Sequence, residues 1–150
     1  FVKDAHKAGV LVHGCIMVGN PGDNRQTLAE SYEFSKKINC DSMQFYPLYV
    51  YPGTEAYNWA IANEYLKTHD FSQWVNKDGL HNCVLNTPEL SSEEMVYLCD
   101  NYLKKYHLRP RYILGKLWQA TKNPSEGYRS IKSARVFLSK IILSQLEKNN

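Results

Sequence analysis

Apolar residues run almost unbroken from Val10 to Val18 and stop at Gly19-Asn20-Pro21-Gly22, a cluster of turn formers followed by Asp23-Asn24. A short apolar run bounded by such residues reads as a strand covered on both faces, the habit of parallel sheets packed between helices. Phe1 to Gly9 reads as the last turns of a helix with Gly9 just past its end, so the chain is expected to start in mid-domain. Asp23, with Gln26 three residues on, predicts a capped helix to Asn39 that carries Leu28, Ser31, Phe34, Ser35 and Ile38 on one face. Ser42 to Tyr49, rich in aromatics and followed by Pro52-Gly53-Thr54, predicts a second strand. Strand, helix, strand makes a βαβ unit. Its right-handed crossover predicts parallel strands whose carboxyl ends, near Gly19 and Pro47, open on one rim. In barrels and open α/β sheets that rim holds the ligand.

Thr54 predicts a cap for a helix from Glu55 to Tyr65. Asp70 to Gly79, with Phe71, Trp74 and Val75, reads as a short helical or irregular segment, and His81 to Asn86 as one more short strand. From Pro88 onward the pattern is helical throughout. Ser91 and Glu94 form a capping box for a helix to about Tyr106, with Met95, Leu98, Cys99, Tyr102 and Tyr106 on one stripe. Pro110 opens another helix, carrying Ile113, Leu114, Leu117 and Trp118. Pro124-Ser125 opens a third, carrying Tyr128, Ile131, Phe137, Leu138, Ile141, Ile142 and Leu146. The fold class is therefore α/β over residues 1–87, followed by an all-α extension over 88–150.

Composition narrows this modestly. The 150 residues, 43% of them hydrophobic, suffice for one core, and a formal charge of +3 dictates no partner. The last apolar stretch, Val136 to Leu146, is broken by Ser139, Lys140, Ser144 and Gln145, and nothing reads as a signal peptide, so a cytoplasmic setting is the default. Cys15, Cys40, Cys83 and Cys99 have neither CxxC nor CxxxC spacing and read as reduced structural thiols. Two or three strands cannot close a barrel. At about 25 cal/mol per Å² of apolar surface, leaving a few hundred Å² uncovered costs several kcal/mol, which predicts self-association of the chain by itself.

Three segments together, His13-Gly14-Cys15-Ile16-Met17-Val18-Gly19-Asn20-Pro21-Gly22-Asp23, Asp41-Ser42-Met43-Gln44-Phe45-Tyr46-Pro47 and Tyr51-Pro52-Gly53-Thr54-Glu55, resemble the second half of the radical S-adenosylmethionine barrel. More narrowly they are similar to the cobalamin-binding type, whose fifth strand ends in a Met-Ile-Gly-Leu-Pro-Gly-Glu-like turn and whose sixth leads into Tyr-Pro-Gly-Thr. Tyr106-His107-Leu108-Arg109-Pro110-Arg111-Tyr112-Ile113-Leu114 is similar to members near the anaerobic magnesium-protoporphyrin IX monomethyl ester oxidative cyclase and the hopanoid-associated radical proteins. Asp23 stands where the family has Glu, and Asn20 where it more often has Leu.

The resemblance implies the last parallel strands of a partial TIM-like (β/α) barrel. The parent enzyme would be an iron-sulfur oxidoreductase, oxidative cyclase or methyltransferase that uses S-adenosylmethionine, a [4Fe-4S] cluster and cobalamin on a small-molecule or lipid-like substrate. It implies an adenine pocket at Gly14, Ile16, Val18 and Gly19, with backbone readout at Phe45, Tyr46 and Pro47. Glycine lets a flat base approach the backbone, and a branched aliphatic gives it an apolar surface. Gln44, Tyr49 and Tyr51 are implied to line the substrate cavity. No Cys-x3-Cys-x2-Cys trio is present, so the cluster belongs to the remainder of the barrel, and the chain alone is expected to be inactive and to hold no cofactor tightly.

Plainer readings stand beside these. Gly14 and Gly19 also fit a bulge and a strand-ending turn. Ile16 and Val18 are core residues on any reading, and Tyr46, Tyr49 and Tyr51 equally fit strand packing. His13 reads as a hydrogen-bonded core histidine, and His81 and His107 as surface or capping groups. A different class of function is a non-catalytic binding module in the tail. From Arg109 to Lys140 eight basic residues face the single acid Glu126, with Trp118, Phe137 and Ile141 interleaved. That favours weak contact with an anionic membrane over nucleic acid, for which no motif is present.

Overall fold

The computed structural model describes residues 1–75, 81–122, 124–125, 127–132 and 134–135. The chain divides into two compact units, Phe1–His107 and Leu108–Asn150. The first runs α1 (Val2–Lys7), β1 (His13–Val18), α2 (Arg25–Ile38), β2 (Ser42–Pro47), α3 (Glu55–Ala62), a single 3-10 turn (Phe71–Trp74) and α4 (Ser92–His107). It is mixed α/β, built on one two-stranded sheet.

β1 and β2 pair in parallel, from His13 opposite Ser42 to Val18 opposite Pro47. The βαβ expectation holds, with both carboxyl ends side by side. Their sidedness differs from the expected strand buried on both faces. Along β1 exposure alternates, His13, Cys15 and Met17 being exposed while Gly14, Ile16 and Val18 turn inward. In β2, Met43 and Phe45 are buried and Gln44 is exposed. Paired residues of parallel strands share a face, so Gly14, Ile16, Val18, Met43 and Phe45 form one covered face, against which α2 and α4 pack. The opposite face, with Cys15, Met17 and Gln44, is open.

Regular pairing starts at His13 rather than Val10; Val10 and Leu11 are largely exposed. His13 is an exposed residue whose Nδ1 lies 2.6 Å from Ser42 Oγ on the partner strand, not a core histidine. Cys15 is exposed too, unlike buried Cys40 and Cys99.

Helix starts follow the local chemistry. The N-cap of α2 is Asn24, one residue later than expected, because its side chain accepts from the Gln26 and Thr27 amides while Thr27 Oγ1 accepts from the Asn24 amide. On α2, Leu28 and Ser35 are buried but Phe34 is exposed. Thr54 caps α3 as expected, although the helix ends at Ala62 rather than Tyr65. At α4, Ser91 Oγ accepts from the Glu94 amide, but the Glu94 carboxylate takes Arg25 in a bidentate pair at 2.6 and 2.8 Å, tying α4 to the start of α2. Of the expected α4 stripe, Met95, Cys99, Tyr102 and Tyr106 are buried as the spacing predicts and Leu98 is half-buried. Tyr102 stacks on Tyr32 of α2, ring centroids 4.9 Å apart, and Phe45 of β2 lies 5.7 Å from Tyr102.

His81 to Asn86 forms no strand. It makes isolated antiparallel bridges, Val75 with His81 and Leu66 with Leu85, and residues 76–80 between them lie outside the described set. At the amino end of the sheet the Asp41 carboxylate accepts from His6 Nε2 at 2.8 Å and from the Val12 amide at 2.9 Å, fastening α1 and the entry to β1.

In the second unit, α5 spans Pro110–Lys122, and residues 124–125, 127–132 and 134–135 are also helical. The start of α5 falls at the expected Pro110. The expected apolar positions Phe137 to Leu146 lie outside the described residues.

Candidate functional site at the carboxyl rim of the strands

Because β1 and β2 are parallel and in register, everything that leaves their carboxyl ends gathers at one edge. On the β1 side the chain turns at Gly19, with φ +99°, and the turn is closed by Asp23. One carboxylate oxygen of Asp23 accepts from the Gly19 amide at 2.9 Å, the Asn20 amide at 2.8 Å and Asn20 Nδ2 at 3.3 Å. Asn20 Nδ2 also donates to the Met17 carbonyl at 3.1 Å. Successive amides converging on one point make an anion-binding nest, and here the chain's own carboxylate fills it. Asp23 is thus a turn-closing residue rather than a helix cap. Asp23→Ala leaves those amides without their acceptor and is expected to lower stability by about 1–3 kcal/mol, with Asp23→Asn recovering part of the loss; equal urea midpoints for wild type and the alanine variant would contradict this role.

On the β2 side the Leu48 amide donates to the Val18 carbonyl at 2.7 Å, extending the pairing one step past the strands. Beyond it four rings assemble. Tyr46 and Tyr49 lie parallel with centroids 6.4 Å apart, Tyr49 is 4.8 Å from His81, and Tyr51 meets His81 edge-on at 5.7 Å, its hydroxyl 3.2 Å from His81 Nε2. Burial, then the neighbouring Cys83, Tyr51, Cys99 and Tyr46, pushes the Tyr49 hydroxyl above its ordinary range, so it is a neutral hydrogen-bonding group at physiological pH. The four rings form a partly exposed aromatic shelf suited to a flat or apolar molecule. His81 belongs to this group although it is 30 residues from Tyr51; only the loop path after α3 brings it there.

The sequence-selected residues divide between the two faces. Gly14, Ile16 and Val18 lie on the helix-packed face. A Cβ on Gly14 would stand 2.7 Å from Met43 Cε and 3.1 Å from Cys40 Sγ, so its missing side chain makes room for core packing. Gly19 is a rim residue, buried against Met95 and Leu85. Phe45 is core, while Pro47 ends β2 beside Val18. Gln44 is exposed on the open face with Cys15 and Met17, and Tyr46, Tyr49 and Tyr51 are on the aromatic shelf. The open-face pair Cys15 and Met17 was not selected from the sequence, and only the strand register exposes it.

Burial raises Cys40, Cys83 and Cys99 above the ordinary thiol range, Cys99 to about 12, so these three are neutral thiols at physiological pH. Among the described residues no three His, Cys, Asp or Glu side chains gather as a metal site. Among those residues too, no helix is long and apolar enough to cross a membrane.

The chain is 28% identical over 118 residues to an uncharacterised methyltransferase of Pyrococcus horikoshii, a match that covers 79% of this chain and 25% of the relative. It is 29% identical over 75 residues to an uncharacterised protein of Methanocaldococcus jannaschii, covering 50% of this chain and 23% of that protein. No family model and no solved structure matches. The chain therefore spans about a quarter of the length of the curated relatives it matches, and over most of its own length it is similar to a methyltransferase.

Proposed function

We propose that this chain forms the last strands of the catalytic barrel of an S-adenosylmethionine-dependent methyltransferase of the radical type. The observation that carries the reading is the parallel pairing of β1 and β2, which leaves one strand face open and sets the Tyr46, Tyr49, Tyr51 and His81 shelf beside their carboxyl ends. A barrel is closed by such strands, with helices outside, an inward face and a ligand rim. The similarity to a methyltransferase over 118 residues supports the reaction class.

On this reading the inward face is the open one. Gln44 presents an amide to the substrate, and the shelf supplies apolar contact and excludes water from a small-molecule or lipid-like substrate. The nucleoside of S-adenosylmethionine meets the rim at the backbone of Val18, Gly19 and Phe45 to Pro47. Gly14 and Ile16 act from behind, by setting how closely the helices hold that wall. The sequence has no Cys-x3-Cys-x2-Cys trio and the described residues gather no three metal-ligating side chains, so on this reading the [4Fe-4S] ligands belong to parts of the protein outside this chain.

The test is made on the full-length polypeptide that contains this chain, purified without oxygen and with iron and sulfide restored. Release of 5′-deoxyadenosine from S-adenosylmethionine on addition of dithionite is the expected result. Methyl transfer by iron-free protein overturns the radical mechanism, and failure to bind S-adenosylmethionine at all overturns the reading entirely.

A further inference from the structure

Helix α5 is inside out. Leu114, Leu117 and Trp118 are 65%, 60% and 60% exposed, and Ile113 beside them is exposed too, so among the described residues nothing covers the apolar stripe of the helix. Its partly covered side is instead Tyr112, Lys116, Gln119 and Ala120. Gly127 packs against that side, close enough that a Cβ there would lie 2.8 Å from the Ala120 Cβ. A surface helix normally turns its apolar stripe inward; this one spends its inward side on small and polar residues.

Two observations select what the stripe meets. The first is its border. At about 100° per residue, Arg111 and Lys122 lie along the Trp118 edge, and Lys122 Nζ stands 3.8 Å over the Trp118 ring. The second is the division of charge. Residues 1–107 hold nine Lys and Arg against thirteen Asp and Glu, whereas residues 108–150 hold nine against two. A second copy of the stripe packed antiparallel would bring the Arg111 and Lys122 edge against itself. Nucleic acid would satisfy the cations but leave Leu114 and Leu117 in water. An anionic bilayer surface takes both, apolar residues at the acyl boundary and cations among the headgroups.

We propose that α5 lies in the interface of an anionic membrane, with Ile113, Leu114, Leu117 and Trp118 inserted and Arg111 and Lys122 on lipid headgroups. The test is flotation of the intact 150-residue chain with phosphatidylcholine vesicles that contain or lack phosphatidylglycerol, with Trp fluorescence read on the same samples. The chain is expected to float with the anionic vesicles only and to show a blue shift that Trp118→Phe removes without abolishing flotation. Leu117→Asp, at an exposed position and checked for unchanged helicity by circular dichroism, is expected to weaken binding tenfold or more. The double reversal Arg111→Glu, Lys122→Glu is expected to weaken it about thirtyfold or more, and added salt should weaken the binding of the wild type. Equal binding to both vesicle types, or no binding, overturns the proposal. So does an RNA oligonucleotide that binds the Leu117→Asp variant as well as the wild type and displaces the wild type from vesicles, and so does a dimer in sedimentation that Leu117→Asp dissolves.

Discussion

Tyr106→Ala is expected to destabilise the first unit by about 3–5 kcal/mol, the range for removing a buried aromatic from a packed core. Tyr106 has no exposed surface and is the largest of the fully buried side chains. It ends the α4 stripe that begins at Met95 and covers the sheet. Its hydroxyl donates to the Cys40 carbonyl at 2.8 Å, a bond between residues 66 apart that ties the last turn of α4 to the segment entering β2. Against a typical total of about 5–15 kcal/mol, such a loss is a third of the fold or more. Tyr106→Phe keeps the ring and strands one buried carbonyl, and is expected to cost about 1–2 kcal/mol. Urea unfolding of the three proteins separates the contributions. A phenylalanine variant as unstable as the alanine one assigns the role to the hydrogen bond, and an alanine loss below about 1 kcal/mol removes Tyr106 from the core.

Where the fold was legible, a single local rule decided it. The α4 stripe follows from helical spacing, and the parallel pairing of β1 and β2 from the helix-length connection between them. Misreadings arose where two groups compete for one role. Asp23 and Asn24 are both good caps, and Asn24 takes the helix because the Gly19 and Asn20 amides have already engaged Asp23. Glu94 sits at the reciprocal capping-box position, yet Arg25, 69 residues away, offers its carboxylate two charged donors. The apolar run into β1 looked covered on both faces because Cys15 and Met17 interleave with Ile16 and Val18. No sequence pattern tells an apolar residue facing a helix from one on an uncovered strand face. The site was legible in part for the same reason: the rim follows from topology, but the membership of His81 depends on a loop path that no periodicity encodes.

Gly19→Ala is expected to cost about 2–4 kcal/mol, because two separate penalties meet at one rim residue. The first is conformational, since at φ +99° an L side chain is strained whatever space surrounds it. The second is steric: a Cβ would stand 2.7 Å from Met95 Sδ, 3.2 Å from Met95 Cε and 3.6 Å from Leu85 Cδ2. Thioethers yield easily in general, but Met95 is itself fully buried, with Cys83 Sγ 3.9 Å from its sulfur, so its retreat disturbs the junction of α4 with the strand ends. Gly22 separates the two penalties. It has a similar φ of +87° with nothing within 4 Å, so Gly22→Ala measures the backbone cost alone, about 1–2 kcal/mol. The excess of Gly19→Ala over Gly22→Ala is then the steric part, and it is expected to shrink in a Met95→Ala background, where the opposing sulfur is gone. If both glycine variants lose the same stability, the close approach of Met95 does not constrain the turn, and Gly19 is required for its backbone conformation only.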